Sequence, residues 1–166
     1  LLCCLLLLAG FGLSSSARAA ECTEITTAAY TINAPGHYCL GADIASGQTG
    51  IMVNASHVDI DCRGYSLRST NTNSTQNSYG IYLTAQTDVH VHHCHISGGY
   101  AAGIYAYQDN GFVNVNQNLS FHDNTISGTY WFGILAYGTD IDIRDNLIYR
   151  VGGRGSFAMG IRVGGS

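Results

Sequence analysis

A Gly-Ile pair recurs at Gly50-Ile51, Gly80-Ile81, Gly103-Ile104, Gly133-Ile134 and Gly160-Ile161, at intervals of 30, 23, 30 and 27 residues. Recurrence on this scale marks a chain built by stacking copies of one unit, none of which buries its apolar face alone. A second block follows most of the pairs, and three copies align without gaps: VHVHHCHI (89–96), LSFHDNTI (119–126) and IDIRDNLI (141–148). The earlier VDIDCRGYSL (58–67) carries two more residues. Each block alternates apolar and polar residues, breaks, and resumes on an apolar one. Alternation with period two describes a strand with one buried face. No helical stretch separates the strands, so a βαβ arrangement is excluded. What remains is an all-β solenoid of short parallel strands, three to a coil. Its length variation is confined to turns, because each strand must stack on its counterpart ~4.8 Å away.

The register predicts the core. Ile51, Ile81, Ile104, Ile134 and Ile161 form one inward column, backed by Val53, Leu83, Ala106, Ala136 and Val163. The second strands contribute Ile60, Val91, Phe121 and Ile143, and the third Leu67, Ile96, Ile126 and Ile148. Between second and third strands Cys94, Asn124 and Asn146 share a column. Asn suits such a bend because its amide bonds both its neighbours and turn backbone.

The Gly-Ile spacing and the IRDNLI bend resemble the right-handed parallel β-helix repeat proteins, the superfamily of pectate lyases, polygalacturonases and periplasmic carbohydrate-binding repeat proteins. The opening CTEITTAAYTINAPGHYCLGADI looks like the start of secreted bacterial members. The resemblance covers residues 22–166 and implies a fold more than a chemistry, since one fold hosts many activities. It sets the expected organisation: a secretory signal over 1–19, a cap region over 20–49 and helix repeats over 50–166.

The ends fit that reading. LLCCLLLLAGFGL is an apolar run too short to span a bilayer comfortably, followed by the small-x-small site Ala17-Arg18-Ala19. It reads as a signal that begins partway through, leaving no membrane span in the mature chain. The closing GIRVGGS reads as the first strand of a further coil, so the repeats are expected to continue. The expected location is secreted or periplasmic. Cleavage leaves Cys22, Cys39, Cys62 and Cys94. Cys22 with Cys39 is the first choice of disulfide, whereas Cys62 and Cys94 lie near the same bend but are offset by the two-residue insertion, and a bridge or two buried thiols fit equally.

Charge narrows the partners. Lys plus Arg number 7 against 11 acidic residues, and no lysine is present. Without a basic patch, nucleic acid and anionic membrane surfaces are poor partners. Catalysis through a lysine is excluded.

Two outward faces carry candidate chemistry. On the first strands, Tyr82, Tyr105, Tyr107 and Tyr137 form an aromatic strip beside the long loops 69–79, 108–118 and 151–159. Ring faces that stack on sugar C–H surfaces, with polar loops as walls, suit a polysaccharide. Tyrosine is also simply a good strand residue. A polygalacturonase-like hydrolase needs acids just before the first strands. Those positions read SYG, AAG, WFG and AMG. A lyase or epimerase of acidic glycans needs a cation and a base, for which Arg162, Arg154 and Asp109 are the candidates. A non-enzymatic surface β-helix for adhesion, scaffolding or metal handling is the alternative.

On the second strands His90, His92 and His122 fall in neighbouring outward positions. The first reading of this face is a solvated polar ladder with no cofactor. Zinc or copper held by those three imidazoles is the alternative.

Overall fold

Parallel strands wind into three walls around an apolar interior. A computed structural model describes residues 21–72, 77–108, 115–152 and 158–165. The expected signal, Asp109, Arg154 and the tips of the three long loops lie outside the described residues. The chain starts with β1 (Thr23–Ile25), β2 (Tyr30–Ile32), β3 (Gly36–Leu40) and β4 (Ile44–Ser46). Next come β5 (Ile51–Val53), β6 (Val58–Asp61) and β7 (Ser66–Ser69), then β8 (Tyr79–Thr84), β9 (Thr87–His92) and β10 (His95–Gly98). They are followed by β11 (Ala102–Tyr107), β12 (Asn116–His122) and β13 (Thr125–Ser127), and by β14 (Phe132–Arg144), β15 (Leu147–Tyr149) and β16 (Met159–Gly164).

The first wall stacks β2, β5, β8, β11, the first half of β14 and β16. The second stacks β1, β3, β6, β9, β12 and the second half of β14. The third stacks β4, β7, β10, β13 and β15. All of these pairings are parallel. β2, β3 and β4, inside the segment expected as a cap, already pair with β5, β6 and β7.

The register is the one the repeat implies. Ile51 faces Ile81, Ile81 faces Ile104, Ile104 faces Ile134 and Ile134 faces Ile161. The first four are fully buried. Ile161 is not: it is 48% exposed, because β16 is paired on the β14 side and, among the described residues, no second- or third-wall strand closes the space behind it. Burying one such side chain is worth about 1.5–3 kcal/mol.

The glycine before the isoleucine has a steric cause in every pair but the last, Gly160. A Cβ on Gly80 would meet the Gly103 carbonyl oxygen and Ile96 Cγ2, each at 2.5 Å. Gly103 repeats the relation with Ile126, and Gly133 with Ile148. The first wall turns so tightly against the third that only a hydrogen fits.

Left-handed residues mark the corners. His57, Asp88, Asn118 and Asp140 open the second wall, and Arg63, His93, Asp123 and Asp145 leave it, all with φ between 50° and 59°. Asp, Asn and His tolerate that region better than bulkier residues. At the bend leaving the second wall, Asn124 Oδ1 accepts the Cys94 N–H at 3.0 Å, and Asn146 Oδ1 accepts the Asn124 N–H at 3.0 Å. In the earlier coils a disulfide takes the place of this ladder. Cys62 is bonded to Cys94 with Cα atoms 4.7 Å apart, the Arg63-Gly64 turn absorbing the insertion. Cys22 and Cys39 form the second bridge.

Candidate functional site

Alternation along β8, β11 and β14 places a tyrosine ladder on the outer face of the first wall. Tyr82 faces Tyr105 in register, with ring centroids 5.9 Å apart. Tyr105 also stacks on Tyr107 at 5.4 Å, and Tyr107 meets Tyr137 edge-on at 5.5 Å. All four predicted tyrosines therefore sit in one contiguous group, together with Tyr79, which stacks on Tyr105 at 4.2 Å and on Tyr82 at 5.4 Å. Strict alternation would send Tyr79 inward with Ile81, but Gly80 lets the chain turn into the wall there.

The rings cover one another's faces, so Tyr105 offers mainly edge and hydroxyl where the sequence suggested an open stacking face. Burial, the nearby Tyr79 and Tyr107 hydroxyls and a hydrogen bond shared with Tyr79 hold its hydroxyl well above the ordinary tyrosine range. Burial also raises Tyr79. Leu135, in the outward column between Tyr105 and Arg162, is 3% exposed. Arg162 lies with its guanidinium carbon 5.8 Å above the Tyr137 ring, and among the described residues it pairs with no carboxylate. Asn116, which sequence reasoning missed, anchors this end of the ladder. Fully buried, it donates from Nδ2 to the Tyr107 and Tyr137 carbonyls, each at 2.9 Å. It stands among other Asn residues in the sequence at the start of β12, so no sequence signal singles it out.

The same outward column runs the other way through Met52 to Thr31. Around them opens a cavity of about 450 Å³ lined by Ala29, Thr31, Gly47, Gln48, Thr49, Met52, Asn77 and Ser78. Its polar groups are hydroxyls and amides, with no charged side chain among the lining residues. The first wall thus presents an uncharged polar cavity followed by a phenol ladder and then a guanidinium.

The second wall is different in kind. Six of the seven histidines lie on or beside its outer face, interleaved with aspartates. The predicted trio separates. His92 and His122 stack with centroids 5.0 Å apart and planes 2° from parallel. His90 instead turns its Nε2 to Asp88 Oδ1 at 3.3 Å, and that carboxylate also bonds His57 at 3.0 Å and Asn118 at 2.9 Å. The His57 bond chiefly holds Asp88 below the usual carboxylate range. His93, rather than His90, is the third histidine beside His92. Its left-handed backbone brings its Nδ1 to 2.8 Å from His92 Nδ1 and 3.3 Å from Asp61 Oδ1. His92 Nε2 bonds Asp59 Oδ1 at 3.1 Å, and Asp59 Oδ2 bonds His37 Nδ1 at 3.1 Å.

A family model described as the right handed beta helix region matches residues 36–162. Neither a curated protein nor a solved structure matches the chain.

Proposed function

The chain belongs to the right-handed β-helix family, and on that premise we propose that it is an exported protein that binds polysaccharide along the outer face of its first wall. One observation carries the reading: the tyrosine ladder is continuous in register with an uncharged cavity rich in hydroxyls and amides. Polyhydroxylated ligands need many neutral donors and acceptors next to modest apolar surface, and this column supplies both. Because the rings stack on one another, recognition runs through phenol hydroxyls and ring edges, with Met52 as the apolar contact in the cavity. Two disulfides in the described chain suit an oxidising compartment outside the cytosol.

The enzymatic version, a lyase or epimerase of acidic glycans, draws on Arg162, the cation at the far end of the same ladder. Arg154 and Asp109 would have to complete it. Without them the protein binds glycan for adhesion or scaffolding.

Calorimetric titration of the purified chain with neutral and uronic-acid oligosaccharides tests the proposal. Tyr82→Phe and Gln48→Ala are expected to weaken binding by about 0.5–1.5 kcal/mol each, as for a lost hydrogen bond, with melting temperature nearly unchanged. Absence of binding to every glycan, or equal binding by wild type and both variants, would assign the tyrosines to strand packing alone. Product absorbance with uronic-acid polymers separates a lyase from a binder.

A further inference from the structure

We infer that Asp61, His92 and His93 form a three-ligand site for a divalent transition-metal ion of the zinc type, on the outer face of the second wall and independent of the glycan face. Three donor atoms converge there. His92 Nδ1 and His93 Nδ1 are 2.8 Å apart, His93 Nδ1 and Asp61 Oδ1 3.3 Å, and His92 Nδ1 and Asp61 Oδ1 3.6 Å. A tetrahedral ion with ligands at about 2.0–2.1 Å has ligand–ligand edges of about 3.3 Å. The three separations bracket that edge, so an ion seats with only small ring movements.

The ligand atoms are also prepared chemically. His92 Nε2 donates its proton to Asp59 Oδ1 at 3.1 Å, which leaves a lone pair on Nδ1. Asp59 is itself tied to His37 at 3.1 Å, completing the carboxylate–histidine arrangement that orients metal-bound imidazoles. His122 lies flat on His92 and fixes its ring plane. As a result the His92 side chain is only 16% exposed, unlike a residue on a freely solvated ladder. The Arg63 guanidinium does not compete for Asp61. Its Nη2 donates to Cys22 Sγ at 2.9 Å, and only the Arg63 backbone N–H reaches Asp61 Oδ1, also at 2.9 Å.

Imidazole donors select zinc, copper or nickel over calcium or magnesium, which take oxygen. The His93 side chain is 54% exposed, so the fourth coordination position opens to solvent. Without an ion the two Nδ1 atoms share one proton in an N–H···N hydrogen bond, so the same geometry serves the apo state.

The test is titration of the chelator-treated, untagged chain with Zn(II), followed by Co(II) substitution read by visible absorption. One equivalent is expected, with a tetrahedral cobalt spectrum. His92→Ala and His93→Asn should both abolish stoichiometric binding, the asparagine being chosen because it accepts the left-handed backbone. Asp59→Asn should weaken binding roughly 10- to 100-fold without abolishing it, as expected for an outer-shell partner. His90→Ala should bind as wild type does. Near-UV circular dichroism confirms folding of each variant. The inference is overturned if wild type binds no zinc, or if His93→Asn and His92→Ala retain one equivalent at unchanged affinity.

Discussion

Asn146 Oδ1 lies 3.0 Å from both the backbone nitrogen and the side-chain Nδ2 of Asn124, one coil away. Asn124 passes the pattern on, accepting from the Cys94 N–H at 3.0 Å while donating to the Val91 carbonyl at 3.0 Å. Each amide therefore closes its own bend and staples it to the next. Because Asn124 is 1% exposed, water cannot replace it. Asn124→Ala should destabilise the fold by about 2–4 kcal/mol through stranded backbone groups, measured by denaturant unfolding. Asn146→Ala, at a more exposed bend, should cost less.

The glycine column predicts a sharp contrast. Gly80→Ala drives a methyl into the Gly103 carbonyl and Ile96, and should cost about 1–3 kcal/mol or more as overpacking against backbone. Gly152→Ala meets nothing within 4 Å and should stay within about 0.5 kcal/mol of wild type. Thermal unfolding of the two variants side by side is sufficient.

Alkaline pH should weaken the fold through the tyrosine ladder. The Tyr105 hydroxyl is held above its ordinary value, first by burial. The folded state therefore keeps a proton that the unfolded state releases above about pH 10. Stability contributed by the protonated hydroxyl is intact below that value and declines as pH rises past it. Tyr105→Phe keeps the stacking and removes this titration, so its unfolding midpoint should fall less than that of wild type above about pH 10. Parallel losses in both proteins would contradict the assignment.

Replacing both Cys62 and Cys94 with serine releases a loop with sequence separation 32. The chain-entropy estimate for such a loop is about 4 kcal/mol. A loss of that order in the double variant, and a larger one on reduction of the wild type, which also opens Cys22–Cys39, is the expected outcome.

Much of the fold was legible because its governing interactions are periodic. Two-residue alternation set the parity within the central strands from their Gly-Ile pairs onward, and those pairs set the register from Ile51 to Ile134. Legibility stopped where periodicity stops. His93 sits at a left-handed bend, where alternation says nothing about direction, so the strand register points to His90 for the alternative metal trio. Tyr79 stands at a corner whose parity Gly80 breaks. The Cys62–Cys94 bond depended on how a two-residue insertion folds away, a local turn geometry that composition does not encode. Asn116 acts through backbone carbonyls of residues distant in sequence, which leave no side-chain pattern to read.

The Cys62–Cys94 bond has a mechanical meaning. It closes one whole turn of the solenoid into a covalent ring, and a force applied along the chain passes through sulfur and never loads residues 63–93. That segment hides about 110 Å of extended chain, at ~3.5 Å per residue, and it carries Tyr79, Tyr82, His92 and His93. If neighbouring coils peel away one by one under tension, this turn keeps its backbone loop closed. Its release lengthens the chain in a single step only after reduction. In a protein anchored at one end and pulled by a ligand at the other, the chain between the two sulfurs would stay out of the load path even after the coils around it had unravelled.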